Sequence, residues 1–142
     1  MIRLLSVACA AIFLFCLTPS AQAQHSLGLN LQSFEKSLEL AEQEKKLVMV
    51  YFWADWCGFC RQFEQEVLAD SSVQKAFNES FLAVAINIQD DPGDLKSKYK
   101  VSALPTLTFL NAKGERVAYW EGFADSPTFI KIMEYITSES KS

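Results

Sequence analysis

The chain has 142 residues and 16.0 kDa, half of them hydrophobic and 21% charged, with net charge −4 and a sequence pI near 5.0. This is the balance of one globular domain, which excludes a disordered or low-complexity protein. Clustered cations are lacking, which excludes a nucleic-acid-binding surface.

Met1-Ile2-Arg3 is a short positive start, and Leu4 to Leu17 is apolar apart from Ser6. Thr18-Pro19-Ser20 breaks the run, and Ala21-Gln22-Ala23 is a small-x-small cleavage site. Residues 1–23 read as a cleaved secretory signal peptide. About fourteen apolar residues are too few to span a bilayer comfortably, so no membrane insertion is expected to outlast cleavage. Residues 24–142 then form a single domain, expected in the periplasm. Cys9 and Cys16 leave with the signal, and Cys57 and Cys60 remain. Two cysteines so close together close too short a loop to act as a structural scaffold, so their chemistry is the reason for them.

Leu31, Phe34, Leu38 and Ala41 recur at helical spacing, which predicts an amphipathic helix over 31–45. Leu47 to Ala54 is a continuous apolar run that reads as a strand buried on both faces. Asp55 to Asp70 reads as a helix opening at the cysteine pair, and Ser72 to Asn78 as a short second one. Phe81 to Ile88 is another apolar strand, and Asp90-Asp91-Pro92-Gly93 a turn. A short helix is expected over Asp94 to Tyr99. Thr106 to Leu110 and Glu115 to Trp120 read as a hairpin joined by Asn111-Ala112-Lys113-Gly114. Ser126 is expected to cap a last helix, with Pro127 at its first position. This order is that of an α/β domain with a mixed sheet.

Trp56-Cys57-Gly58-Phe59-Cys60 thus follows a buried strand and opens a helix. Cys57 falls where free backbone N–H groups favour a thiolate, and Cys60 lies one turn on. A zinc site would need four ligands, and the single histidine, His25, lies near the start of the domain, so no metal is expected. At about 100° per residue, Glu64 falls in the stripe made by Cys57, Cys60, Phe63 and Val67, while Arg61, Gln62, Gln65 and Glu66 point elsewhere. A partly desolvated carboxyl there could accept the Cys60 proton. A boundary glutamate whose tip reaches water is the plainer alternative.

Val50-Tyr51-Phe52-Trp53-Ala54-Asp55-Trp56-Cys57-Gly58-Phe59-Cys60 and Ala103-Leu104-Pro105-Thr106 resemble the thioredoxin superfamily. Ala54-Asp55-Trp56-Cys57, Phe63-Glu64, Asp70 and Val73-Gln74-Lys75-Ala76 resemble, within it, the periplasmic C-terminal domain of the DsbD disulfide reductases. The likeness spans roughly residues 30 to 136. It implies a three-layer fold, a central mixed sheet flanked by helices. It implies a cis Pro105 beside the cysteine pair and a substrate strand read by Leu104, with Trp56, Gly58 and Phe59 around it. It also places an acidic residue where Glu64 stands. Two departures stand out. Tyr51 occupies the place of the buried aspartate of thioredoxins, and Ala85 that of its lysine partner. The activity implied is thiol–disulfide exchange without a cofactor, with Cys57 as nucleophile and Cys60 as resolving thiol. The expected direction is reduction of protein disulfides by a monomer that draws electrons from a membrane thiol–disulfide reductase. A thiol oxidase, or a binding or chaperone module without turnover, are the alternatives.

Overall fold

The computed structural model describes residues 27–140. The signal peptide expected over 1–23 lies outside the described residues.

The elements, in chain order, are α1 (Phe34–Glu44), β1 (Leu47–Trp53), α2 (Gly58–Phe63) continued by a π-helical turn (Glu64–Leu68), α3 (Ser71–Ser80), β2 (Phe81–Asn87), α4 (Leu95–Lys98), β3 (Thr106–Leu110), β4 (Arg116–Glu121) and α5 (Ser126–Glu139). The strands form one mixed sheet in the order β2-β1-β3-β4. β1 is central. It runs parallel to β2, with Tyr51 opposite Ala85, and antiparallel to β3, with Tyr51 opposite Leu107.

The apolar run of β1 is continuous because both faces of this strand are covered. Successive side chains point to opposite faces, so one strand feeds two cores. Met49 and Tyr51 join Leu107, Phe109, both cysteines, Phe63 and Phe129 in one. Val48, Val50 and Phe52 join Ala41, Leu95, Tyr99 and Leu110 in the other. The result is the expected three-layer arrangement, a sheet between two layers of helices.

The structure corrects several sequence-based boundaries. α1 starts at Phe34, not Leu31, because Leu31 pairs as an isolated bridge with Ala83 and Gln32 N–H donates to the Ala83 carbonyl. Ser33 then caps the helix, its hydroxyl accepting from Lys36 N–H at 3.3 Å. The helix expected over 55–70 starts at Gly58 and changes pitch at Glu64, where Ala69 N–H reaches back five residues to the Glu64 carbonyl. α5 is capped by Asp125, not Ser126. The Asp125 carboxylate accepts from Thr128 N–H at 2.9 Å, and Pro127 is the second helical residue rather than the first. The Ser126 hydroxyl instead donates to the Glu66 carbonyl at 3.2 Å, tying α5 to the π turn. α4 takes its cap from Asp91, whose carboxylate accepts from Leu95 and Lys96 N–H at 3.0 and 2.7 Å. The turn between β3 and β4 is fixed by Asn111, whose side-chain oxygen accepts from Lys113 and Glu115 N–H. Gly114 there has φ +75°, a conformation that favours glycine.

Candidate active site

β1 ends at Trp53, and a tight turn, closed by Cys57 N–H on the Ala54 carbonyl at 3.0 Å, aims the chain into α2. Cys57 is the N-cap residue of that helix, with extended backbone (φ −81°, ψ 99°). Its Sγ accepts the Cys60 backbone N–H at 3.1 Å, as a cap oxygen would. A sulfur so placed faces an oriented donor and the positive end of the helix, both of which favour a thiolate. Cys57 and Cys60 are joined in a disulfide with Cα atoms 5.2 Å apart. Both are buried, Cys57 at 5% exposure and Cys60 at 1%. The two residues between and before them behave oppositely: Trp56 and Phe59 are 66% and 64% exposed. An apolar surface therefore surrounds a sheltered sulfur pair.

The helix stripe read from the sequence is present. Phe63 and Val67 are fully buried, Glu64 is half-buried, and Arg61, Gln62, Gln65 and Glu66 are exposed. Phe63 packs edge-on against Phe129 at 5.3 Å and tilted against the Tyr51 ring at 6.1 Å, which fixes the rotation of the helix on the sheet. Glu64 does not simply reach for water. Its Oε1 accepts the Tyr51 hydroxyl at 2.9 Å. The same hydroxyl lies 3.4 Å from the Cys60 carbonyl oxygen. Burial first, then the charge of Glu64 and its hydrogen bond, push the Tyr51 hydroxyl far above the ordinary tyrosine range. It stays protonated and acts as a donor.

Tyr51 is the residue that the sequence pattern did not foretell. It registered there as a missing aspartate. The available signal was its place in β1, on the same face as Met49 and so on the cysteine side, with a hydroxyl long enough to reach a helix packed above the sheet.

Asp55 is exposed, ahead of the helix. Its backbone carbonyl accepts the Arg61 guanidinium at 2.7 Å, and its carboxylate lies 3.5 Å from the Asn87 amide. Opposite this corner, the Leu104–Pro105 peptide bond is cis. The segment is held by Thr106 Oγ1 donating to the Ala103 carbonyl at 2.8 Å and by Gly122 N–H donating to the Pro105 carbonyl at 2.8 Å. Leu104 packs against the core that contains both cysteines. A cleft of about 230 Å³ opens between Trp56 and this segment, lined also by Ile88, Lys96, Val101 and Ala103. Trp56 and Leu104 thus share one cleft, while Phe59 stands on the exposed side of α2. Among the described residues, no three His, Cys, Asp or Glu side chains converge in a group that could hold a metal ion.

A family model described as a thioredoxin-like domain matches residues 34–137. The chain is 37% identical over 119 residues to the thiol:disulfide interchange protein DsbD of Salmonella paratyphi A, covering 79% of this chain and 21% of that protein. It therefore spans about a fifth of the length of the curated relatives it matches. Among solved structures, a thioredoxin from Thermus thermophilus superposes with TM-score 0.70 at 27% identity, covering 77% of this chain and 87% of that one. The reduced C-terminal domain of Neisseria meningitidis DsbD superposes with TM-score 0.59, covering 71% and 91%. At 24% identity, that likeness speaks for the fold alone.

Proposed function

Since the chain belongs to the thioredoxin-like family, we propose that it is an exported thiol–disulfide oxidoreductase that reduces protein disulfides in the periplasm. The observation that carries this reading is the cysteine pair itself. Cys57 caps a helix with its sulfur on the Cys60 N–H, Cys60 is still more enclosed one turn on, and Trp56 before the pair and Phe59 within it are exposed.

The chemistry follows from those positions. In the reduced protein the Cys57 thiolate attacks one sulfur of a substrate disulfide, and the other substrate sulfur leaves as a thiolate. Cys60, after losing its proton, attacks Cys57 Sγ. The mixed disulfide breaks, the second substrate sulfur departs with the electron pair, and the Cys57–Cys60 disulfide forms. Glu64 is the proton acceptor for Cys60. The segment Leu104–Pro105 and the cleft beneath Trp56 receive the substrate chain around its cysteine, with Gly58 allowing close approach. A membrane thiol–disulfide reductase returns the two electrons. The domain works as a monomer. Among the described residues, no helix is long and apolar enough to cross a membrane.

The test has two parts. Purified protein is assayed for catalysis of insulin reduction by dithiothreitol, and a Cys60→Ser variant is expressed in the periplasm to trap substrates on Cys57. Catalysis with trapped partners is the expected outcome. An inert wild type would favour a binding module. Catalysis of thiol oxidation in place of reduction would favour an oxidase.

A further inference from the structure

We propose that Tyr51 is a positioning residue for the thiol chemistry: its phenol holds the Glu64 carboxylate on the Cys60 side of the helix, where that carboxylate accepts the Cys60 proton. This rests on the reading of Cys57 and Cys60 as an exchanging pair. One buried hydroxyl touches both the base and the residue the base serves, at 2.9 Å from Glu64 Oε1 and 3.4 Å from the Cys60 carbonyl oxygen. The shorter contact, to a charged oxygen, is the stronger bond.

The surroundings make the tether useful. Glu64 is the first residue of the π turn, and its carbonyl accepts from Ala69 five residues on. π turns interrupt the regular helix and occur often at functional sites. Gln65 and Glu66, the next residues of that turn, are exposed, whereas the Glu64 carboxylate is half-buried and meets the Tyr51 hydroxyl. Tyr51 is itself enclosed. It is fully buried, its ring packs on Phe63, and its strand neighbours Ala85 and Leu107 offer no competing polar group. The phenol keeps its own proton, as its environment requires. It therefore acts as a donor to the carboxylate and takes no proton from Cys60 itself.

In the mixed disulfide, the Cys60 S–H proton passes to Glu64 while Cys60 Sγ bonds to Cys57 Sγ. The bond from Cys57 to the substrate sulfur breaks, and its electron pair leaves on that sulfur. Glu64 then gives its proton to solvent or to the departing thiolate. The two cysteines have lost two electrons, the substrate disulfide has gained them, and Tyr51 is unchanged.

The experiment mixes reduced protein with 5,5′-dithiobis(2-nitrobenzoate) in a stopped-flow instrument at neutral pH. The first release of coloured thiolate reports attack by Cys57, and the second reports resolution by Cys60. This readout does not depend on the physiological direction or substrate. A failure of insulin reduction would sink the reductant reading and leave this measurement standing. The proteins are wild type, Tyr51→Phe, Glu64→Gln and the double variant. Tyr51→Phe keeps the ring and removes only the hydroxyl. Slowing of the second phase by about tenfold is expected in each single variant, part of the on the order of 10²–10⁴ that general acid–base catalysis supplies. The double variant is expected to be no slower than Glu64→Gln alone. The reduction potential of Glu64→Gln should move in the oxidising direction, because the negative charge near Cys60 is removed, and that of Tyr51→Phe in the same direction by less, because the carboxylate is still charged but no longer held there. A Tyr51→Phe protein with wild-type resolution and potential, altered only in melting temperature, would overturn the proposal. So would slowing that adds to that of Glu64→Gln, or a Glu64→Gln protein that resolves normally.

Discussion

The two cysteines differ by one helical turn, and that turn underlies the roles proposed for them. Cys57 sits at the helix mouth with its sulfur on a backbone N–H, whereas Cys60 is almost fully enclosed, in the same core as Phe63 and Val67. Nucleophilicity in thiol exchange depends on thiolate fraction and on access, and both favour Cys57. Brief alkylation of the reduced protein at neutral pH should therefore modify Cys57 first, as read by peptide mapping. Prior labelling of Cys60 would reverse the assignment. The sequence was legible here because Cys-x-x-Cys after an apolar strand can close a disulfide in few ways. It was less legible at Tyr51. A hydroxyl acting across the gap from strand to helix depends on the packing height of that helix, which no local pattern encodes.

At the scale of the element, α2 is oriented by Phe63, and its outer face carries Phe59. The contrast gives a paired expectation. Phe63→Ala empties a site enclosed by Tyr51, Phe123 and Phe129 and should cost about 3–5 kcal/mol in chemical denaturation. Phe59→Ala removes an exposed ring and should change stability by no more than about 0.5 kcal/mol. If Phe59 serves substrate contact, the second variant loses exchange rate with protein disulfides while keeping its rate with small ones. Helix caps supply a second expectation. Backbone N–H donation from Ser72, with help from Ser126, holds the Asp70 carboxyl below its ordinary value of 3.8. Hydrogen bonds from Thr128 do the same for Asp125. A carboxylate whose pKa is lowered by folding stabilises the fold above its unfolded value and loses that contribution as pH falls through the lower, folded value. Thermal midpoints of wild type should thus fall between about pH 5 and about pH 2.5 by more than those of an Asp70→Asn, Asp125→Asn double variant, since asparagine still caps without titrating. Equal acid sensitivity would remove the caps from the account. The caps also show where sequence reading slips by a residue. Asp125, Ser126 and Pro127 all fit a helix start, and the Asp125 carboxylate takes the cap from Thr128 N–H while the Ser126 hydroxyl turns to the Glu66 carbonyl.

For the whole molecule, the fold was legible because β1 is so plainly a strand covered on both sides, which requires helices above and below it. What the pattern did not reveal was the π turn, whose extra residue per turn matters only once α5 docks on it through Ser126. The same global arrangement bears on the direction of electron flow. Strong oxidants owe their potential to a stabilised reduced thiolate. In this chain the carboxylates of Asp55 and Glu64 lie on the cysteine-bearing segment, Arg61 is engaged with the Asp55 carbonyl, and the net charge is −4. Negative neighbours disfavour a thiolate, and they oppose the stabilisation that the Cys60 N–H and the helix give to Cys57. Glu64, tied to Tyr51, cannot easily swing away from the pair. The reduced form therefore gains less than in an oxidase, and the disulfide is correspondingly harder to reduce. The potential should lie nearer the thioredoxin value, roughly −270 mV, than the value of a strong oxidase, roughly −120 mV. Equilibration of the wild type against a graded dithiothreitol or glutathione series, with the fraction reduced read by thiol alkylation, measures it directly. A value near −120 mV would mean that the helix start outweighs both carboxylates, and the protein would then run as an oxidant.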